Sequence, residues 1–395
     1  LFFQTLDDKE QCVGIYADGR LFFDSFPENL THTWKLTTIH PHAEVQSAWI
    51  YASGASLSTV APQDLSEAIE SLTRKLRAYL KSFKLAKINL REHCFFDMVP
   101  EDFLTQYCEI KNKISEHVFN NYSKPENYEH LMHTHCLLQK IKNKKLKTDA
   151  SDCKSLFLSS AHRKTMNSLL SADNYINYNL FGTVTGRLTT LPDSFPILTL
   201  KKDFRKIIKP HNKWFVSLDY NGAEVRTLLA LSGQQQPHTD IHQWNVENIF
   251  GEKDIEREEA KTMFFSWLYN PDSKTINTEY YDRKKVLDEW YDGEKIRTPF
   301  KREIDVDQRK ALNYLIQSTT ADIVLDRASA IDKYLSGKKS FISHIVHDEI
   351  VIDLADEERS LLPEIKSIFS NNKLAEYVVN LRCGKNYLDL KELNI

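Results

Sequence analysis

Two acidic side chains 129 positions apart, Asp219 and Asp348, occupy the same kind of local setting. Asp348 and its neighbour Glu349 sit in "HIVHDEIVID", His344 to Asp353, where Ile345-Val346 and Ile350-Val351-Ile352 flank a polar centre. Apolar, β-branched residues on both sides of a short polar tip predict a hairpin with half-buried arms. Asp219 follows the apolar run Trp214 to Leu218, a predicted strand, and precedes helical spacing that closes at Gly233. If the two strands are neighbours in one antiparallel sheet, the carboxylates meet. Bare anions held together are costly, and a bound divalent cation is the common remedy. Oxygen-only ligands point to Mg²⁺ or Mn²⁺ rather than zinc. Taken alone, an Asp at a tip serves equally well as a solvated bend.

A second constellation lies in "DIEREEAKTMFFSWLYNP", a predicted helix with Asp254 as N-cap and Asn270-Pro271 as its stop. Arg257, Lys261, Phe265 and Tyr269 recur every fourth residue, so they share one slowly drifting stripe, basic at one end and aromatic at the other. Such a face suits a triphosphate beside a sugar and base. On spacing alone the plainer reading wins: Phe265 and Tyr269 as core rings, with Arg257 and Lys261 paired to Glu258 or Glu256. A third predicted helix, Asp307 to Leu335, carries Arg309, Asn313 and Gln317 at the same interval, with Leu312, Leu315, Ile316, Ile323 and Val324 as its core side. Amides on that face could contact base edges or remain surface groups.

The elements that must position these residues follow from periodicity. Residues 1 to about 60 read as β-rich, with "LFFQTL" and "CVGIYA" joined by a polar turn and "RLFFDSF" after the Asp18-Gly19 turn signal. From Pro62 to Lys147 the spacing is helical, and beyond Lys154 short strands mix with long helices. The 395 residues suffice for two or three domains, with 41% apolar and 27% charged residues. No apolar run is long enough to span a bilayer and no signal pattern opens the chain, which begins at Leu1 and so is expected to lack upstream sequence. Six scattered cysteines without a C-x-x-C pair fit reduced thiols in an intracellular setting. Net charge is only -3, but basic residues concentrate at Arg74–Lys87, Lys140–Lys147 and Lys201–Lys213, stripes that suit a phosphate backbone or a solvated helix face. There is no P-loop and no G-x-G-x-x-G. His130, His133, His135 and Cys136 fit no structural zinc spacing and are expected on a helix surface.

From Phe181 onward the ordered motifs resemble those of the family A DNA polymerases, the group typified by bacterial DNA polymerase I. Thr185-Gly186-Arg187-Leu188 matches one motif, and Asp219-Tyr220-Asn221-Gly222-Ala223-Glu224-Val225-Arg226 the first palm motif. Asp240-Ile241-His242, the Arg257-Lys261-Phe265-Tyr269 stripe, Asn313 with Gln317 and Ala321-Asp322-Ile323, and Val346-His347-Asp348-Glu349 complete the series. The resemblance implies an α+β right-hand fold: an antiparallel palm sheet, helical fingers and thumb, and a small β-rich N-terminal module. The implied boundaries are 1–60 for that module, 61–175 for the thumb region, 176–240 and 309–395 for the palm, and 241–308 for the fingers.

The resemblance also implies roles. Asp219, Asp348 and the Tyr220 carbonyl would bind two Mg²⁺ ions, with Mn²⁺ a substitute and Glu349 in support. Lys261, Arg257 and His242 would grip phosphates, and Phe265 and Tyr269 would close over base and sugar. Arg187, Gln317 and His347 would touch the minor groove, with Asn313 and Arg309 also on DNA. Glu224 would reject ribonucleotides, which favours DNA synthesis over that of single-subunit RNA polymerases. The implied partners are primer-template DNA and dNTPs, for a cytoplasmic monomer with no membrane. Ser266 and Asn270 stand where the fingers helix usually has Gly, Phe264 and Trp267 add bulk, and Gly222 replaces a Gln. Proofreading is expected to be absent, because Asp8-Lys9-Glu10 matches D-x-E only formally and lies in a turn. The competing class is a catalytically silent DNA-binding protein of the same shape.

Overall fold

The computed structural model describes residues 1–394 except 10, 38–43, 91, 172–173, 252–254 and 277. The chain divides into two compact units, Leu1–Gln139 and Lys140–Ile395. Among the described residues, no helix is long and apolar enough to cross a membrane.

In the first unit, Phe2–Asp8, Gln11–Ala17 and Arg20–Phe22 form an antiparallel meander. Its second turn is made by Asp18 and Gly19, both at positive φ. His32–Thr33 and Gln46–Ser47 add to the first strand in parallel, giving the order third, second, first, fourth, fifth. The helices Gln63–Leu85 and Glu101–Asn121 bury Ile69, Ile114 and Val118 with Trp34. The β-rich stretch and these helices therefore share one unit. Gln4 is fully buried, and its amide nitrogen donates to Asn112 at 2.8 Å and Ser115 at 3.1 Å. The helical spacing expected as far as Lys147 stops earlier: the helix Tyr128–Lys142 ends, and Lys147-Thr148 pair as a short strand with Ile208-Lys209. His135 is also not a surface residue. It is buried, with its ring bonded to the Leu36 carbonyl, while His133 is exposed.

The second unit is built on an antiparallel sheet ordered Phe341–Val346, Glu349–Leu354, Trp214–Tyr220, Val379–Gly384, Lys391–Glu392. Two of its inner strands, Glu349–Leu354 and Trp214–Tyr220, are largely buried on both faces. Val216, Leu218, Ile350, Val351 and Ile352 have no exposure, and each such side chain contributes roughly 1.5–3 kcal/mol by leaving water. The helix Gln308–Tyr334 starts at Asp307, whose side chain accepts from the Arg309 backbone N–H at 3.0 Å. It buries Leu312, Leu315, Ile316, Ile323 and Val324, the side that periodicity had marked. The helix Arg257–Tyr269 begins after Glu256; Asp254, the expected cap, lies outside the described residues.

Candidate active site

The hairpin predicted around the acidic tip is present. Val346 pairs with Glu349, so the loop is His347-Asp348 alone, and His347 adopts φ +56. Two-residue hairpin loops need left-handed backbone to match strand twist, and a non-glycine residue there costs roughly 1–2 kcal/mol. The tip is thus a constrained corner, exposed at His347, that fixes where the half-buried Asp348 stands. On the neighbouring strand Asp219 lies opposite Glu349 in register. The sheet therefore brings together the two distant acids, and their electrostatics show it. The Asp219 carboxyl is pushed up to about 7 by burial and then by the negative charges of Asp348 and Glu349. Asp348 is also raised, chiefly by burial and partly by Glu224. An acid pair that resists full ionisation is a site short of positive charge.

Glu349, the register partner of Asp219, has hydrogen-bond partners of its own. Its carboxylate accepts from the Ser217 hydroxyl and from the Tyr387 hydroxyl at 2.7 Å, both within the same sheet region. Tyr387 is raised by burial and by Glu349, so it stays a donor at neutral pH. Neither partner had a local signal: they become neighbours only through strand pairing.

A cavity of about 610 Å³ opens beside the acid pair. Asp219, Tyr220, Asp348, Lys261 and Phe265 line it, as do Arg187, Glu224, His242, Arg257 and His347. The Lys261 ammonium has no ion-pair partner among the described residues. Arg257 is differently placed. Its guanidinium grips Asp240 at 3.0 and 2.7 Å and also pairs with Glu258. Burial acts to raise Asp240, but hydrogen bonds from Arg257, Gln243 and Asn221 outweigh it and hold the carboxyl well below its usual range. Asp240 also caps the helix Ile241–Asn245, accepting from the His242 and Gln243 N–H groups. His242 is lowered to about 4 by burial and then by the charges of Lys261 and Arg257, so at neutral pH it is an uncharged imidazole.

Glu224 receives two partners, an ion pair from Arg187 and a hydrogen bond from the Tyr269 hydroxyl. Tyr269 stacks on Phe265 at 6.0 Å between ring centres but does not line the cavity. Asn313 and Gln317 bond to each other, and Arg309, largely exposed, pairs with Asp272 at 2.8 Å. None of these three reaches the cavity; Thr320, Ala321 and Val324 of the same helix do. The bulky departures point elsewhere as well, since Phe264 and Trp267 are buried in the core cluster. Gly222 has a local reason: it has φ +67 where the helix Ala223–Leu231 starts, and a Cβ there would lie 2.3 Å from Ile241 Cγ2.

Two cavity residues escaped the sequence reading. Asn380 and Arg382 come from Val379–Gly384, the other neighbour of the central strand, and Asn380 is the register partner of Asp219. The Asn380 side chain acts to lower the Asp219 carboxyl, and Arg382 Nη2 lies 3.4 Å from Asp219 Oδ2.

The residues fit a divalent cation in donor chemistry: two carboxylates, both oxygen donors, line one cavity with Tyr220 in a setting that penalises their bare charge. No group of three or more His, Cys, Asp or Glu side chains suited to a metal occurs among the described residues.

The architecture matches the POL domain of Pol1 from M. smegmatis, solved in complex with DNA primer-template and dNTP, at a TM-score of 0.55 and 15% identity over 72% of this chain and 76% of that one. The fold is that of a DNA polymerase domain. In sequence the chain is similar to DNA polymerases: that of Mycobacterium phage D29, 28% identical over 177 residues, covers 36% of this chain and 29% of that protein. The DNA polymerase of Bacillus phage SP01 is 25% identical over 311 residues, covering 58% and 33%. DNA polymerase I of Caldicellulosiruptor bescii is 24% identical over 268 residues, covering 53% and 31%. The chain spans about a third of the length of these curated relatives. No protein-family model matches it.

Proposed function

We propose that this chain carries the nucleotidyl-transfer site of a DNA-directed DNA polymerase, extending a primer on a template with dNTPs in the cytoplasm. The observation that supports this best is the convergence of Asp219, on the central strand, with Asp348, at the tip of the adjoining hairpin, beside a cavity lined by Lys261, within a polymerase-domain fold.

Asp219, Asp348 and the Tyr220 carbonyl would hold two Mg²⁺ ions, with Mn²⁺ able to replace them. When bound, such ions lower the pKa of a primer 3′-hydroxyl and offset charge on the triphosphate. Lys261, uncommitted to any described acid, is the side chain best placed to bind phosphate. Arg257 serves first to fix Asp240 and the helix that carries His242, and reaches a phosphate only by releasing that carboxylate. His242, neutral, can give one N–H to phosphate without adding charge. Phe265 and Tyr269 would meet base and sugar on closure of the helix that carries them. Glu224, held by Arg187 and Tyr269, would crowd a 2′-hydroxyl. Arg187 and His347 would meet the duplex from the cavity edge, whereas Asn313, Gln317 and Arg309 lie outside it and require a bound duplex to engage them. Glu349, tied by two hydroxyls, positions the tip.

Extension by this chain would proceed without 3′-5′ proofreading. Asp8 is paired at 2.6 Å with the Lys9 ammonium, Lys9 sits in a left-handed turn, and Glu10 lies outside the described residues.

The test is extension of a labelled primed template, compared between wild type and Asp348→Ala. Wild type should extend and the variant should fall by at least about 10³-fold, the scale of losing charge stabilisation at a reacting centre. Equal extension by both, or none by either, overturns the catalytic reading. Shortening of the same primer without dNTPs overturns the absence of proofreading.

A further inference from the structure

Asp219 already has a cation beside it. Arg382 stands two residues beyond Asn380 on Val379–Gly384, opposite Ser217, so it shares the sheet face of Asp219. Its Nη2 lies 3.4 Å from Asp219 Oδ2, and both residues line the cavity. Across the other edge of its strand Arg382 is register partner to Glu392, yet makes no ion pair with it. The guanidinium is spent on the enclosed acid and not on the exposed one.

The contact is built to be broken. It is a single nitrogen–oxygen approach rather than a bidentate fork, and the Arg382 side chain is 41% exposed. A pair of that kind holds weakly, and a long side chain can leave it for water at little cost. Unlike His or Lys, arginine cannot lose its proton to escape a second positive charge. A divalent ion on Asp219 must therefore displace Arg382 or tolerate a like charge a few ångströms away.

We propose that Arg382 is a resident competitor for the cation site: it neutralises Asp219 while no metal is bound and weakens cation binding by having to withdraw. This makes it a positioning and affinity-setting residue, and it rests on the reading that Asp219 and Asp348 hold divalent cations. The sign distinguishes the idea from a structural role. Damage to a supporting residue weakens metal binding, whereas removal of a competitor tightens it.

The experiment titrates the full chain with MnCl₂, counting free Mn²⁺ by electron paramagnetic resonance, for wild type, Arg382→Gln, Arg382→Met, Arg382→Lys and Asp219→Asn. Thermal melts with and without Mn²⁺ accompany each titration. Both neutral variants should bind Mn²⁺ roughly three- to tenfold more tightly than wild type, the scale of one nearby partly screened charge. They should also gain more in melting temperature from the ion. Arg382→Lys, which keeps the charge, should stay within about twofold of wild type on the same reasoning. Asp219→Asn should bind at least about tenfold more weakly, as expected when an ionised ligand is lost. If the neutral variants bind with wild-type affinity or more weakly while Asp219→Asn still loses binding, the role of Arg382 is overturned and the cation site stands. If Asp219→Asn binds as wild type does, the cation site falls and this proposal with it.

Discussion

Gly186, just before Arg187, is fixed by two separable demands, which makes its replacement informative. Its φ is +77, a conformation that costs an alanine roughly 1 kcal/mol. A Cβ there would also lie 2.5 Å from Arg302 Nη2 and 2.6 Å from Cζ. Arg302 cannot yield freely, because it forms a two-point ion pair with Asp322 at 3.0 and 2.6 Å, and Asp322 has no exposure. Separating a buried pair completely costs about 3–5 kcal/mol. Partial displacement of Arg302 should therefore add about 2–4 kcal/mol to the backbone term. Gly233 is the control: φ is +70, and nothing lies within 4 Å of its would-be Cβ. Gly186→Ala should thus lose about 3–5 kcal/mol in urea unfolding and Gly233→Ala about 1 kcal/mol. Both glycines lie in the same compact unit, so the difference isolates the contact with Arg302. Equal losses in the two variants would show that Arg302 does not brace this turn.

Other consequences follow from single groups. His344 is fully buried beside Phe215 and Tyr387, and burial lowers its pKa to about 3, followed by the positive charge of Arg205. Because the unfolded imidazole takes up a proton first, stability should fall as pH drops from about 6.5 toward 3, with a slope approaching about 1.4 kcal/mol per pH unit; His344→Phe should flatten it in acid titrations of unfolding, and an unchanged slope refutes the assignment. Glu224→Ala removes the shared acceptor of Arg187 and Tyr269, so primer extension with NTPs should rise relative to dNTPs by on the order of tenfold or more; no change in that ratio would deny Glu224 its role at the 2′ position. Asp240→Ala takes away a helix cap and the partner of Arg257 together, which should cost about 1–3 kcal/mol and raise the KM for dNTP more than it lowers kcat; a change in kcat alone would argue against a binding role for this helix.

How far the sequence reached can be judged from particular residues. Local order was enough for the acidic hairpin, since alternation and a polar tip are short-range signals, and for the long helix, whose apolar face repeats over many turns. Spacing also placed Lys261 and Phe265 on the face that meets the cavity. Partners were harder. The spacing puts Arg257 to Tyr269 on one stripe, basic then aromatic, but it does not show that Arg257 is taken by Asp240 and Tyr269 by Glu224, because each acid arrives from another element. The same limit hid Arg382, 163 residues from Asp219, and the two hydroxyls on Glu349.

By itself the sequence determined the acidic hairpin and the long helices, though not where the helix that ends at Lys142 stops, because φ/ψ preference and side-chain period act within a few neighbours. Only the tertiary structure decided which charges stand together. Strand order set Asp219 between the strands that carry Glu349 and Asn380, and helix packing left Asn313 and Gln317 outside the cavity lining that includes Lys261. Charge–charge energies depend on separation in space, and chain distance says little about that until the sheet has closed.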